Sequence, residues 1–88
     1  MAFNYKIHWK KSATKELTSL NIKEIPKIVK SVSLLSQNPF PNGVAKLKES
    51  NYLYRIRVGD YRIIYSVDTD NKQVIIEHIR HRSAAYKN

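Results

Sequence analysis

The chain has 88 residues, 42% of them hydrophobic, which allows one small core and excludes wholesale disorder. It has no cysteine, so disulfides and thiolate metal sites are excluded, and a reducing compartment is the natural expectation. Sixteen Lys and Arg against seven Asp and Glu give a net charge of +9, which points to a polyanionic partner.

The opening Met1-Ala-Phe-Asn-Tyr-Lys-Ile-His-Trp9 has no basic segment followed by an apolar core, and no apolar run approaches the roughly 20 residues of a membrane span. A soluble, cytoplasmic protein with a single domain over residues 1–88 is therefore expected.

Phe3 to Trp9 alternates as a first strand, with Phe3, Tyr5, Ile7 and Trp9 on one face and His8 on the other. Ser12 offers an N-cap to a short helix carrying Ala13, Leu17 and Leu20 and ending near Asn21. A longer helix carries Ile25, Ile28, Val29, Val32 and Leu35 at i, i+3, i+4, i+7 spacing. Asn21 with Glu24 resembles a capping box, and Pro26 fits only a first turn, so this helix starts between Ile22 and Pro26. Asn38-Pro-Phe-Pro-Asn-Gly43 ends it. The two helices are read as a helical hairpin.

Val44 to Ser50 reads as a basic connection, with Lys46 and Lys48 flanking Leu47. Tyr54 to Val67 reads as two alternating strands joined by Gly59-Asp60, a two-residue turn with Gly at its first position. That turn length fixes the register: Val58 faces Tyr61, Arg57 faces Arg62, Ile56 faces Ile63 and Arg55 faces Ile64. Tyr54, Ile56, Val58, Tyr61, Ile63 and Tyr65 then share one face, and Arg55, Arg57 and Arg62 the other. Asp68 to Lys72 is a polar turn, Gln73 to His81 a last strand rich in Val and Ile, and one helical turn follows Ser83. The order predicts an α+β fold: strand, two helices, then three strands, with a mostly antiparallel sheet covered on one face by the helical hairpin.

The helices need apolar partners, so the arginine face is left to solvent. All five arginines lie between Arg55 and Arg82. Like charges directly opposed on a sheet are destabilising by some tenths of a kcal/mol per pair. Three guanidiniums held together on a rigid hairpin therefore suggest an external anion, a merely solvated basic face being the competing reading.

Metal chemistry is not expected, because His78 and His81 are three apart in a strand and point to opposite faces. Glu77 reads as a cross-strand partner for an arginine. No Ser, His and Asp arrangement and no glycine-rich phosphate loop is visible. Tyr5, Tyr54, Tyr61 and Tyr65 fall at core-facing positions. Past the last strand stand His81, Arg82 and Tyr86, of which histidine moves protons near neutral pH and tyrosine does so beside cations.

The run Tyr54-Arg-Ile-Arg-Val-Gly-Asp-Tyr-Arg-Ile-Ile-Tyr65, then a strand ending in His81-Arg82 with Tyr86 four residues on, resembles the RelE branch of the RelE/ParE toxin superfamily. The preceding strand and helices have the family's order and length. The resemblance implies a ribosome-dependent endoribonuclease that cuts mRNA in the A site, needs no cofactor, and is neutralised by an antitoxin. It implies metal-free chemistry in which the 2′-hydroxyl attacks the adjacent phosphate, leaving a 2′,3′-cyclic phosphate and a 5′-hydroxyl. The family's basic hairpin positions fall on Arg55, Arg57 and Arg62, its late basic position on Arg82 and its terminal tyrosine on Tyr86. Lysines stand in well-known relatives where this chain has Arg55 and Arg57. An arginine stays protonated, so neither can be the base. Arg55, Arg57 and Arg62 are expected to hold phosphate and stabilise the transition state, Tyr86 to be base or orienter of the 2′-hydroxyl, and His81 or Arg82 to assist the leaving oxygen. Arg80, where many relatives have Gly, is expected with Lys46 and Lys48 to bind RNA or the ribosome. The main alternative is a ParE-like protein that inhibits DNA gyrase without cutting RNA; a generic nucleic-acid-binding domain is a third reading.

Overall fold

The computed structural model describes residues 4–48 and 50–85. Within them run β1 (Lys6–Trp9), α1 (Lys11–Thr18), α2 (Ile25–Leu34), β2 (Ala45–Lys46), β3 (Leu53–Val58), β4 (Tyr61–Asp68), β5 (Gln73–His81) and α3 (Arg82–Ala85). The strands form one sheet in the order β1-β5-β4-β3-β2. β1 pairs parallel with β5, and every other pairing is antiparallel. The expected α+β architecture is observed.

The core lies between the sheet and the two longer helices. Ala13 of α1 and Ile28, Val32 and Leu35 around α2 are buried against Ile56, Ile63, Tyr65, Val74, Ile76 and Ile79 of the sheet. Burying a side chain of this size contributes about 1.5–3 kcal/mol, which makes this face the cohesive one. Tyr65 is fully buried, and its hydroxyl donates to the Pro39 carbonyl at 2.7 Å, tying the loop after α2 onto the sheet. Val29, expected on the buried stripe of α2, lies at its edge and is 43% exposed.

Several local expectations are corrected. Ser12 is not the N-cap; Lys10 is, without a side-chain cap, and Ser12 Oγ donates to the Glu77 carbonyl at 3.3 Å. α1 starts directly after β1 because Lys10 N–H still pairs with the Ile76 carbonyl at 3.1 Å, leaving no room for a loop. Asn21 and Glu24 form no capping box. Asn21 Oδ1 accepts the Lys23 N–H at 3.0 Å as an Asx turn, and Glu24 caps α2 without a side-chain bond. Pro26 does sit in the first turn of α2. The Val44–Ser50 connection contains β2, whose two residues are too few to show a period in the sequence. Phe3 lies outside the described residues.

Candidate active site on the arginine face

The hairpin turns as its residues require. Gly59 has φ of +59°, the left-handed value that glycine adopts without a Cβ penalty, and β3 and β4 meet in the expected register. Arg57 stands opposite Arg62, and Arg55 opposite Ile64. On its other side, Arg62 stands opposite Arg80 of β5. Three guanidinium-bearing positions therefore form one row across three strands, Arg57–Arg62–Arg80, on the face away from the helices. Directly opposed like charges repel by roughly 0.2–1 kcal/mol per pair, and the row concentrates a positive field on this face.

A bulge places Arg80 there. β4 and β5 pair Ile64 with His78 but Tyr65 with Ile76, leaving Glu77 as an extra residue on β5. Val74 and Ile76 are buried before it and Ile79 after it, so the inward parity changes from even to odd numbers. Uninterrupted alternation would send Arg80 into the core and His81 onto the open face. The bulge reverses both, the re-aiming of side chains that bulges commonly produce.

His81 is consequently turned to the opposite face of β5 from Arg57 and Arg62. It pairs with Tyr61, and the two rings meet edge-to-face with centroids 5.3 Å apart. Its Nδ1 accepts the Ser83 N–H at 3.2 Å and lies 2.9 Å from Ser83 Oγ. A nitrogen that accepts a backbone N–H carries a lone pair, so the ring proton of the neutral imidazole is on Nε2. His81 lines instead a hollow of about 460 Å³ with Glu16, Ser19, Leu20, Tyr61, Ile79 and Arg80.

Arg82, in contrast, comes to the arginine cleft. Its N–H donates to the Asp60 carbonyl at 2.7 Å, which hangs the start of α3 from the hairpin turn. Arg57, Gly59, Asp60, Tyr61, Arg62 and Arg82 line a cleft of about 190 Å³. Arg57 and Arg82 are exposed there, whereas Arg55, Arg62 and Arg80 are half-buried. Tyr86 lies outside the described residues.

The flanking residues are less concentrated than the sequence suggested. Lys46 pairs with Tyr54, which puts it on the helix-side face of the edge strand, and Lys48 is exposed beyond it. Glu77, expected beside an arginine, binds Lys10 at 2.8 Å and accepts from Ser66 Oγ at 3.3 Å. The hydrogen bond that the Lys10 ammonium donates to Glu77 holds its pKa above the usual value. Sequence reasoning missed a small network at the β5 edge. Glu16 Oε1 accepts the Ile79 N–H at 3.0 Å and lies 3.3 Å from His78 Nδ1, which in turn lies 3.4 Å from Arg80 Nη2. The Glu16 acceptor reaches a strand edge that β1 no longer covers; no period in the sequence signals it.

The family model described as ParE toxin of type II toxin-antitoxin system, parDE, matches residues 7–86. The chain is 36% identical over 91 residues to the RelE1 protein of Methanocaldococcus jannaschii, spanning 100% of this chain and 99% of that one. Among solved structures, the archaeal RelE–RelB complex of Pyrococcus horikoshii superposes with a TM-score of 0.79 at 32% identity, covering 90% of this chain and 96% of that one. The toxin–antitoxin complex RelBE2 of Mycobacterium tuberculosis shares the fold, with a TM-score of 0.79 at 23% identity over 91% of this chain and 93% of that one.

Proposed function

Because the chain belongs to the RelE/ParE family of toxins of type II toxin–antitoxin systems, we propose that it is a ribosome-dependent endoribonuclease of the cytoplasm that cuts mRNA in the A site and is neutralised by a cognate antitoxin. The observation that carries this reading is the Arg57–Arg62–Arg80 row, with Arg82 joining Arg57 and Arg62 in one cleft. Such a row concentrates positive charge on one face, and the guanidinium fork matches phosphate oxygens. The similarity to a RelE–RelB complex supports the antitoxin as partner.

The chemistry follows from what arginine can do. The 2′-oxygen of the RNA attacks the adjacent phosphorus, the bond to the 5′-oxygen breaks, and a 2′,3′-cyclic phosphate forms. Arg57, Arg62 and Arg80 hold the phosphate and stabilise the extra negative charge of the pentacoordinate transition state, with Arg55 one step along the strand guiding the backbone. Tyr86 is the base or orienter of the 2′-hydroxyl. Of the two candidates for the leaving oxygen, the geometry supports Arg82, which lines the cleft, over His81, which faces Tyr61. Because its guanidinium does not give up a proton, Arg82 stabilises the leaving oxygen by charge and hydrogen bonding while water protonates it. Since the RNA supplies its own nucleophile, this route has no step that calls for a metal.

Purified protein added to mRNA-programmed ribosomes tests the reading. Cleavage within the A-site codon, 2′,3′-cyclic phosphate ends, and persistence in EDTA with ribosomes kept intact are the expected results. The matching family model is named for ParE, which favours a second reading: inhibition of DNA gyrase without cleavage. Blocked supercoiling with intact mRNA would decide for it.

A further inference from the structure

Glu16 and His78 meet the end of the arginine row at Arg80, and neither has a part in the reading above. His78 and Arg80 share a face of β5, two residues apart, and Arg80 is the register partner of Arg62. Arg80 Nε is buried without a hydrogen-bond partner among the described residues, and Arg80 Nη2 reaches His78 Nδ1 at 3.4 Å. That nitrogen is also 3.3 Å from Glu16 Oε1. One nitrogen cannot serve both neighbours. With a lone pair, Nδ1 accepts from Arg80 and leaves the Glu16 oxygen facing another acceptor. With a proton, it donates to Glu16 and presents an N–H to the guanidinium. Glu16 itself is anchored, because the same oxygen accepts the Ile79 N–H at 3.0 Å.

We infer that His78 is a positioning residue for Arg80: its Nδ1 lone pair holds the guanidinium in the arginine row before RNA arrives, and exchange of the ring proton through water from Nε2 to Nδ1, whose N–H then donates to the Glu16 carboxylate, releases Arg80 to the scissile phosphate. The charged groups around the imidazole are Glu16 from α1, Glu77 and Arg80 from its own strand, and Arg62 from β4 through its pairing with Arg80. On the β4 side its direct neighbour is Ile64, which offers no proton. Glu16 is therefore the acceptor for Nδ1–H, and Arg80 the donor to the bare nitrogen. The role within catalysis rests on the endoribonuclease reading, but the contact itself does not.

Two measurements test it. Imidazole ¹⁵N spectra of the isolated protein at about pH 8, above the ordinary histidine range, should show His78 Nδ1 unprotonated in the wild type. In Arg80→Ala the proton should move to Nδ1. A wild-type Nδ1 that already carries a proton, or the same tautomer in both proteins, overturns the inference. On ribosomes, His78→Ala should lower kcat by up to about 10²-fold, the scale of a misplaced catalytic group, with KM little changed. His78→Asn, whose Oδ1 stands near the place of Nδ1 as an acceptor, should restore much of that loss. Cleavage unchanged in His78→Ala, or lost equally in both variants, overturns the positioning role alone. A wild type that cuts no mRNA overturns the endoribonuclease reading and the positioning role with it, while the spectra still decide whether Arg80 sets the tautomer.

Discussion

Arg82 donates its backbone N–H to the carbonyl of Asp60 at 2.7 Å, so the segment after β5 hangs from the hairpin turn between β3 and β4. One backbone hydrogen bond therefore brings a late arginine to the two hairpin arginines. The turn that carries it depends on Gly59 at φ of +59°. A Cβ at Gly59 would meet only Glu24 Oε1, at 3.9 Å, so a substitution there is strained by the backbone and not by crowding. Gly59→Ala should lower unfolding free energy by about 1–2 kcal/mol in urea titration. Cleavage at saturating ribosome should fall as well, because Arg82 moves with the turn. Full activity in a destabilised variant would show that this attachment is dispensable.

Charge reversal on the arginine row should separate function from stability. Arg57 is exposed and stands opposite Arg62, so Arg57→Glu replaces a like pair with an opposite one. The expected outcome is loss of toxicity on expression, with a thermal midpoint no lower than that of the wild type, because the cross-strand pair becomes favourable by some tenths of a kcal/mol. An unfolded variant, or undiminished toxicity, would remove Arg57 from the site.

Tyr86→Phe keeps the ring and removes the hydroxyl. Ribosome binding should persist while mRNA cleavage falls by roughly 10²–10⁴-fold, the range for loss of a general acid–base group. Single-turnover cleavage on programmed ribosomes measures this directly. A rate equal to the wild type's would leave the enzyme standing and return the search for the base to the groups around the cleft.

Acid stability should report the β4–β5 turn. The side-chain amide of Asn71 at 2.8 Å, with the N–H groups of Asn71 and Asp70 at 3.0 and 3.1 Å, holds the Asp68 carboxyl below its ordinary value of 3.8. A carboxyl with a lowered pKa in the folded state favours folding above its unfolded value, and that contribution disappears as pH falls through the folded value. Asp68→Ala should therefore be less stable than the wild type at pH 7, with the gap closing progressively below about pH 3.8. Urea midpoints taken through that range check it, and a gap constant with pH would mean that the turn's hydrogen bonds do not depend on the ionised carboxylate.

What the sequence alone determined is what neighbours along the chain decide. A two-residue turn leaves a hairpin one register, and side chains alternate strictly within it, so the opposition of Arg57 and Arg62 and the covered face of Ile56, Ile63 and Tyr65 were all legible. The amphipathic period of α2 and the proline-rich stop after it were legible for the same reason. The tertiary structure decided what distant segments do to one another. The extra residue at Glu77 turns Arg80 toward Arg62 and His81 toward Tyr61, reversing the faces that alternation assigns, and nothing local marks it, because Ile75, Ile76 and Ile79 read as one continuous apolar strand. Glu77 pairs with Lys10 rather than an arginine, and Glu16 reaches the N–H of Ile79, because β1 stops short and α1 takes its place along β5. Short-range geometry writes the hairpin into the sequence; the third strand's contribution to the arginine row exists only once β5 has docked with its bulge in place.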